Sequence, residues 1–282
     1  MVLAMLLPSL FLMILFNYIP IAQSFVFSFF RWSGGPLRTF LGFENYVNLF
    51  TSELFYTAMY NQAIILLFRT VLLVLPPLIV ARLIFGLKNR TRLGNFFRMA
   101  FVIPIVIPPI VVLLIWQFLY DGQVGLINEI LRTLSLGEYA RPWLGSPDTA
   151  LGAIIAIGFP WVEGTNMLIF LAGFLSVDES IWDSVHLDGV KPLQRFFSID
   201  LPLILGQLKL ILILTLIKLM QDFVGIMILT RGGPGTSTMV PGLMLYQSAF
   251  SYARMGYASA IGVVMFLIIL ALSILYSRIG KE

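Results

Sequence analysis

Five of the fourteen acidic residues of this chain and its only histidine lie in one polar segment, Val177 to Pro202, between two long apolar stretches. They are Asp178, Glu179, Asp183, Asp188 and Asp200, with His186. Carboxylates so placed can bind a cationic protein surface, which a plain connection between two apolar stretches would not require. One histidine and no cysteine give no persuasive catalytic arrangement and argue against a metal site. We therefore expect no catalytic or metal-binding residue, and we interpret residues 177–201, the docking segment, as a contact for a soluble partner.

Capping and turn residues predict how the docking segment folds. Asp178 or Ser176 can cap a short helix. The apolar stripe of that helix consists of Ile181, Trp182 and Val185. Gly189 permits a left-handed turn at its end, and Pro192 suits the first position of a second helix. An ordinary amphipathic connector at the membrane surface is the alternative.

Four further charged residues lie within apolar stretches long enough to span a membrane: Arg69, Glu163, Lys218 and Asp222. A charge at the centre of a bilayer costs about 2.5–3.5 kcal/mol on insertion scales, so each needs a reason. Arg69 and Glu163 can pair if their helices are adjacent. Lys218 and Asp222 stand at i, i+4 on one face of a helix, in the order that stabilises a helix less. We interpret the four as part of a substrate path, with buried ion pairs between helices as the alternative.

The stretch GFPWVEGTN, residues 158–166, predicts a helix broken at mid-depth. Pro160 removes one helical hydrogen bond, and broken helices at this depth mark substrate sites in transporters. Trp161 offers a flat face on which a sugar ring can stack, while Glu163 and Asn166 can bind hydroxyls. A kinked helix with a packed tryptophan is the alternative. Weaker candidates, for which packing or interface anchoring competes, are Trp116, Gln117, Tyr246 and Gln247.

The composition indicates an integral membrane protein. Of 282 residues, 59% are hydrophobic and 11% are charged, and the mean hydropathy is +0.94. Soluble domains carry roughly 25% charged residues. The chain has no Gly-x-x-x-x-Gly-Lys-[Ser/Thr] sequence, so it has no recognisable phosphate-binding loop and we expect no cofactor in it. Its energy source must lie in another protein or in an ion gradient.

We predict an all-α fold with six transmembrane helices in one membrane domain, residues 1–282, and a helix-turn-helix docking segment on the cytoplasmic side. A span needs about 20 apolar residues. The first is expected to be a retained span, because it has no basic residues before it and no cleavage site. The spans are expected near residues 3–30, 56–86, 99–120, 149–175, 202–229 and 248–277.

Basic residues near the span ends predict the orientation. The second loop and the carboxyl-terminal tail are basic and fall on the same side, which is therefore the cytoplasm. These basic residues are Lys88, Arg90, Arg92, Arg98, Arg278 and Lys281. Both termini and the docking segment are then cytoplasmic, whereas residues 121–148 are outside. The outer segment contains the amphipathic sequence GLINEILRTL, which either contacts an extracytoplasmic binding protein or lies on the membrane.

The docking segment resembles the EAA loop of the membrane subunits of binding-protein-dependent ABC importers. In that family a Glu-Ala-Ala triplet is followed after three residues by glycine. This chain has DSVHLDG at residues 183–189, then Leu201-Pro202, so the spacing matches while the triplet departs at all three positions. The resemblance implies that Asp183 helps to hold an ATPase subunit and that Gly189 shapes the turn. The ATPase-coupling residues would be Asp183, Ser184, Val185, His186, Asp188 and Gly189.

Most of the chain is similar to the maltose-type sugar permeases of these importers. The stretches that carry the similarity are residues 107–128, 166–177, 229–238 and 249–270. The similarity implies a sugar or oligosaccharide permease in the prokaryotic inner membrane that works by alternating access. It also implies a second permease subunit, two ATPase subunits that bind ATP and Mg²⁺, and an extracytoplasmic solute-binding protein. A permease for glycerol phosphate, an anionic sugar or an amino acid is one alternative, and an ion-coupled secondary carrier is a more distant one.

Overall fold

The computed structural model describes residues 2–87, 91–187 and 189–278. The described chain is predominantly helical, with one short β-hairpin. It forms two compact units, Met1–Gln62 with Asp222–Leu270 and Ala63–Gln221 with Ala271–Glu282. Lys88, Arg90, Asp188 and Lys281, as well as the side chain of His186, lie outside what is described.

The chain begins with an apolar helical stretch that includes a π-helical turn, Ile14–Tyr18. Pro20 follows this turn and has no N–H, so it cannot continue the regular helical hydrogen bonds. Strands β1 and β2 then pair antiparallel, with Arg31 opposite Thr39. The elements of this part are α1 Val2–Met13, α2 Ile19–Phe27, β1 Phe30–Trp32, β2 Arg38–Phe40, α3 Glu44–Phe50 and α4 Glu53–Gly86.

The middle of the chain consists of shorter helices, two of which begin at proline. Two 3-10 segments occur here: Ile103–Val106 follows α5, and Gly137–Tyr139 lies between α7 and α8. The α-helices are α5 Thr91–Val102, α6 Pro109–Leu119, α7 Leu126–Thr133, α8 Pro147–Ala156 and α9 Gly164–Ser176.

The docking segment and the last third of the chain complete the fold. Two π-helical segments occur here, Phe196–Asp200 and Gln247–Ser251. The α-helices are α10 Glu179–Leu187, α11 Pro192–Arg195, α12 Leu201–Leu203, α13 Leu205–Gln221, α14 Val224–Leu229, α15 Pro241–Tyr246 and α16 Met255–Arg278.

Four helical stretches of the described residues are long and apolar enough to cross a membrane: Met5–Phe27, Glu53–Gly86, Leu205–Leu229 and Met255–Arg278. They correspond to the first, second, fifth and sixth predicted spans. The third predicted span is not one straight helix, because Arg92–Val106 and Pro109–Leu119 meet at 91° around two consecutive prolines, Pro108 and Pro109. The fourth is divided into the short apolar helices α8 and α9.

Within the first unit, side-chain amides hold irregular backbone in place. The Asn45 Nδ2 donates to the carbonyl oxygens of Ser28 and Phe30, at 2.8 and 3.0 Å. The Asn61 Nδ2 donates to the carbonyl oxygens of Thr236 and Met239, at 3.2 and 3.0 Å. These bonds give backbone carbonyls in the irregular stretches of this unit a side-chain donor.

The core of the second unit packs α4 against α9, α13 and the docking segment. Phe170 and Phe174 on α9 are fully buried, and Trp182 of the docking segment is 2% exposed. The other buried members of this core are Val74, Leu78, Ala81, Ile84, Phe85, Val162, Met167, Leu171, Ile204 and Ile211. The docking segment is therefore part of the hydrophobic core of its unit and not a loose connection.

Gly164 and Gly152 provide a matched test of packing in the second unit. A Cβ on Gly164 would collide with the Phe101 carbonyl oxygen and the Ile105 side chain, whereas a Cβ on Gly152 meets nothing within 4 Å. We expect Gly164→Ala to lower the free energy of unfolding by about 1–3 kcal/mol through overpacking. Gly152→Ala should raise it by about 0.5–1 kcal/mol, because alanine favours a helix. Thermal unfolding of the two purified variants in detergent measures both changes. Equal unfolding midpoints would contradict the close contact of Gly164 with Phe101 and Ile105.

Candidate functional site

The first helix of the docking segment is capped by Asp178. Its Oδ1 accepts hydrogen bonds from the hydroxyl and, at 2.8 Å, from the backbone N–H of Ser180, as expected for a cap at this position. These two bonds, the hydroxyl bond first, lower the pKa of Asp178. A lowered pKa means that the cap contributes to stability above the ordinary value of 3.8 and is lost as the pH falls through the folded value. The capped end of α10 is therefore intact at neutral pH.

The two faces of α10 have different surroundings. Trp182 and Val185 are buried, and the Trp182 ring lies 5.0 Å from that of Phe85. Asp183 and Ser184 are exposed on the same helix. Ile181, which the sequence placed with Trp182 in the apolar stripe, is 40% exposed. One face thus anchors the helix in the core, while the other presents the acid of the predicted triplet to its surroundings.

The turn after α10 has the predicted backbone. Gly189 has a φ of +60°, in the left-handed region that glycine adopts most readily. Pro192 occupies the first turn of α11, also as predicted. Phe196 packs against the core, whereas Leu193 and Phe197 are 73% and 60% exposed. The segment after the turn therefore also has one anchored face and one exposed apolar face.

One buried carboxylate connects the docking segment to α4, and sequence reasoning did not identify its role. Asp200 is 2% exposed, and its Oδ2 accepts a bond from the Arg82 Nε at 2.5 Å. Its Oδ1 accepts a second bond from the Arg195 Nε at 3.3 Å. Asp200 stands immediately before Leu201-Pro202, so its position alone gave no sign of a partner more than a hundred residues away.

The predicted break at residues 158–163 is present, and Glu163 is the residue immediately before α9. The Glu163 Oε2 accepts the backbone N–H of Asn166 at 2.6 Å, which caps α9. The Asn166 Nδ2 donates to the Leu73 carbonyl oxygen at 2.9 Å. In a regular helix this carbonyl would accept from residue 77, which is a proline here. Both side chains therefore form bonds within the protein. These bonds use the Glu163 Oε2 and the Asn166 Nδ2, and they do not involve the Glu163 Oε1 or the Asn166 Oδ1.

Trp161 remains accessible within this break. It is 54% exposed, and its ring lies 5.7 Å from that of Phe101 at a tilt of 44°. One side of the ring contacts protein while the rest is open. Trp161, Glu163 and Asn166 thus lie close in sequence at the start of α9, and their contact with a substrate stays a prediction.

The other predicted path residues lie on α4 and at the end of α13. Arg69 is half-buried on α4, and Lys218 is exposed near the end of α13. Asp222 lies in the two-residue break after α13, so it does not continue the helix on which Lys218 stands. The shared face predicted for Lys218 and Asp222 in the fifth span stays a prediction. Proximity of Arg69 to Glu163 stays a prediction.

Trp116 belongs to a row of aromatic side chains. Its ring lies 5.2 Å from Tyr120, which lies 6.4 Å from Trp143. The Tyr120 hydroxyl donates to the Ala153 carbonyl oxygen on α8. This arrangement favours the packing alternative for Trp116. Tyr246 likewise packs on Phe223 and Phe250, with ring centroids 5.4 and 5.1 Å apart.

The segment 121–148 is organised around one buried amide. The Asn128 Nδ2 donates to the carbonyl oxygens of Asp121, Gly122 and Arg141, and its Oδ1 accepts the Trp143 indole N–H at 2.8 Å. Backbone N–H groups of Val124 and Gln123 lower the pKa of Asp121. Leu126 and Ile130 are half-exposed along α7. The exposed apolar stripe suits either of the two roles predicted for the segment.

The described residues contain no group of three or more histidine, cysteine or carboxylate side chains placed to hold a metal ion.

Comparison with known proteins gives a consistent result. Residues 78–282 match the family described as binding-protein-dependent transport system inner membrane component. The probable ABC transporter permease protein YurN of Bacillus subtilis (strain 168) is 34% identical over 273 residues, covering 95% of this chain and 93% of that protein. The trehalose/maltose transport system permease protein MalF of Thermococcus litoralis is 30% identical over 282 residues, covering 98% and 92%.

A solved structure has the same fold. It is the crystal structure of a bacterial ABC transporter involved in the import of the acidic polysaccharide alginate. One of its chains superposes with a TM-score of 0.83 at 23% identity, covering 99% of this chain and 96% of that chain.

Proposed function

This chain belongs to the family of inner membrane components of binding-protein-dependent transport systems, and on that premise we propose that it is a permease subunit of an ATP-driven importer for a sugar or oligosaccharide. It is a transport subunit and not an enzyme, because the family forms the membrane part of ABC transporters. The resemblance to maltose-type permeases that the sequence indicated is confirmed by the trehalose/maltose relative.

The architecture of the docking segment carries the proposal. Trp182 is buried in the core of the second unit, while Asp183 and Ser184 are exposed on the same helix. The turn at Gly189 then redirects the chain into α11. A helix with one face fixed in the core and an acidic face presented outward suits a partner that must push on the membrane part. We assign that partner as a separate ATPase subunit, which binds the ATP and the Mg²⁺.

The complete importer contains further partners. We propose a second permease subunit, two ATPase subunits and a solute-binding protein on the outer side, with this chain, residues 1–282, as one transmembrane domain. Six spans then place both termini and the docking segment in the cytoplasm. The bent pair α5–α6 and the divided pair α8–α9 each count as one span in this topology. Transport proceeds by alternating access, because ATP can shift the importer between two states only if the ATPases bind them differently.

The broken region around Trp161 is our candidate for sugar contact. An exposed indole beside carboxylate and amide oxygens is the combination on which sugar rings stack and to which hydroxyls donate. Arg69 and Lys218 add positive charge, which would favour an anionic substrate such as an acidic sugar. The similar proteins include an importer for trehalose or maltose and one for an acidic polysaccharide. Neutral and acidic carbohydrates are therefore both tested as substrates.

Reconstitution of the complete importer in proteoliposomes tests the function. The chain, its co-encoded ATPase, second permease and binding protein are combined, and uptake of neutral and acidic oligosaccharides, glycerol phosphate and amino acids is measured. Uptake of a carbohydrate that requires internal ATP and the binding protein, and that survives a proton and sodium ionophore, supports the proposal. Uptake driven by an ion gradient without ATPase would establish the secondary-carrier alternative instead.

Trp161→Ala should raise the apparent KM for the sugar about 5-fold, because an aromatic contact of this kind is worth roughly 0.5–1.5 kcal/mol. Trp161→Phe keeps a flat face and should retain most of the affinity. Because the side chain is 54% exposed, its removal should leave the assembled yield unchanged. A lower folded yield with an unchanged KM would show that Trp161 only packs against its neighbours.

A further inference from the structure

Asp200 is the deeply buried acid of the docking segment, and its bonds cross to another helix. Arg82 on α4 and Arg195 at the end of α11 each direct Nε to one of its two oxygens, at 2.5 and 3.3 Å. The side chains of Arg82, Arg195 and Asp200 are 21%, 14% and 2% exposed. The three form one charge cluster, which we call the buried arginine–aspartate cluster.

Aromatic rings cover the two arginines of this cluster. The Arg82 guanidinium lies 5.7 Å from the Phe85 ring centroid and 6.0 Å from that of Phe174. The Arg195 guanidinium lies 5.6 Å from the centroid of Trp182. Stacking of this kind holds a guanidinium plane in one orientation. Each guanidinium is thus held by the Asp200 carboxylate and by at least one aromatic ring of the core.

Net stabilisation is a weak explanation for such a cluster. Removing charges from water is costly, and apolar side chains of similar volume often stabilise a protein as well as a buried ion pair does. Directional bonds, by contrast, fix relative geometry strongly. The cluster joins three elements at one point: α4 through Arg82, α9 through Phe174, and the docking segment through Trp182, Arg195 and Asp200.

A second connection joins α4 and α9 farther along the same helices. The Asn166 Nδ2 donates to the Leu73 carbonyl oxygen, which lies nine residues before Arg82 on α4. Nine helical residues correspond to roughly 14 Å along the axis. Two separated connections make α4 and α9 resist rotation against each other, and only one of the two, the buried arginine–aspartate cluster, also includes the docking segment.

We propose that Asp200, Arg82 and Arg195 are positioning residues that transmit the movement of the docking segment to α4. This inference rests on the proposed function, since it assigns the part of the permease that receives the force from the ATPase. Without the cluster, the docking segment would still bind the ATPase through its exposed face, but its movement would no longer drive α4. ATP would then be hydrolysed with little transport.

The test uses the reconstituted importer and measures molecules transported per ATP hydrolysed. The single variants Asp200→Asn and Arg82→Gln should each retain the bound ATPase and reduce this ratio about 10-fold. A loss of this size lies in the upper part of the range by which single substitutions change the coupling between two sites. The double variant should be no worse than the more severe single variant, because both remove the same interaction. Arg31→Gln with Glu44→Gln removes an exposed ion pair outside the docking segment and should change nothing.

Asp200→Glu and Arg82→Lys keep both charges but alter the geometry, so they give an assembled complex even if the first variants do not fold. They should lower the ratio about 3-fold. An unchanged ratio in the assembled variants would overturn the proposal and leave the cluster a packing feature. A wild-type complex without ATP-dependent uptake would contradict the proposed function itself, so the two failures are distinguishable.

Discussion

Replacing Gly189 with valine should reduce ATP-driven uptake about 10-fold, because a left-handed backbone costs a residue with a Cβ roughly 1–2 kcal/mol. The φ of Gly189 is +60°, and a Cβ there meets nothing within 4 Å. The loss would therefore come from the backbone of the turn and not from a steric clash. Valine is branched at Cβ and would shift the turn toward other conformations. The docking segment would then present its exposed face in the wrong orientation.

Two substitutions control this experiment. Gly189→Asn should retain most of the uptake, because asparagine tolerates the left-handed region. Gly42→Val imposes the same strain at a position with a φ of +57° and open space around it, outside the docking segment. It should leave transport per assembled complex unchanged. If valine and asparagine at residue 189 give equal uptake, the turn conformation does not matter for coupling.

Asp183→Lys should weaken binding of the ATPase subunit about 100-fold, because it places a cation opposite the cationic surface that we propose Asp183 faces. Asp183 is exposed on α10, so the substitution should not disturb the core formed by Trp182. The measurement is the amount of ATPase that co-purifies with the tagged permease as salt increases. Uptake should fall in parallel.

Glu138→Lys is the matched control, since it makes the same charge change at an exposed acid in residues 121–148. It should leave ATPase binding unchanged. Equal co-purification with Asp183→Lys and wild-type permease would remove Asp183 from the proposed interface. Gly189→Val and Asp183→Lys both act on the docking segment, but the first alters its shape and the second its charge.

Local features of the docking segment could be predicted from the sequence. The cap at Asp178, the left-handed turn at Gly189 and the start of α11 at Pro192 depend on a few neighbouring residues with strong conformational preferences. The break around residues 158–163 followed from glycine and proline in the same way. These features are short-range, so one sequence is enough to indicate them.

Long-range partners could not be predicted. Asp200 resembles the other acids of the docking segment in sequence, yet its oxygens bind Arg82 and Arg195 in the core. Asn166 was expected to face substrate hydroxyls, but its amide nitrogen donates to the Leu73 carbonyl oxygen. The presence of Pro77 was the available signal, because it leaves that carbonyl without its helical donor.

The positions of helix ends and bends could not be predicted from hydrophobic periodicity either. The apolar stretch around Pro108 suggested one span, whereas its two halves meet at 91°. The i, i+4 spacing of Lys218 and Asp222 suggested one helical face, whereas α13 ends at Gln221. Hydrophobicity measures whether a segment can lie in a membrane, but it does not register a break of two residues.

Cross-linking from the docking segment shows whether its exposed face touches the ATPase subunit in the assembled importer. The chain contains no cysteine, so Ser184→Cys introduces a single thiol on the exposed face of α10, and Ser135→Cys introduces one in the segment predicted to be outside. With a short thiol-reactive photo-cross-linker in membranes that contain the whole importer, Ser184→Cys should join the permease to the ATPase subunit, with a yield that changes when ATP is added. Ser135→Cys should not join them. Cross-linking of Ser184→Cys to lipid alone, with the ATPase present and active, would contradict a contact between α10 and the ATPase subunit.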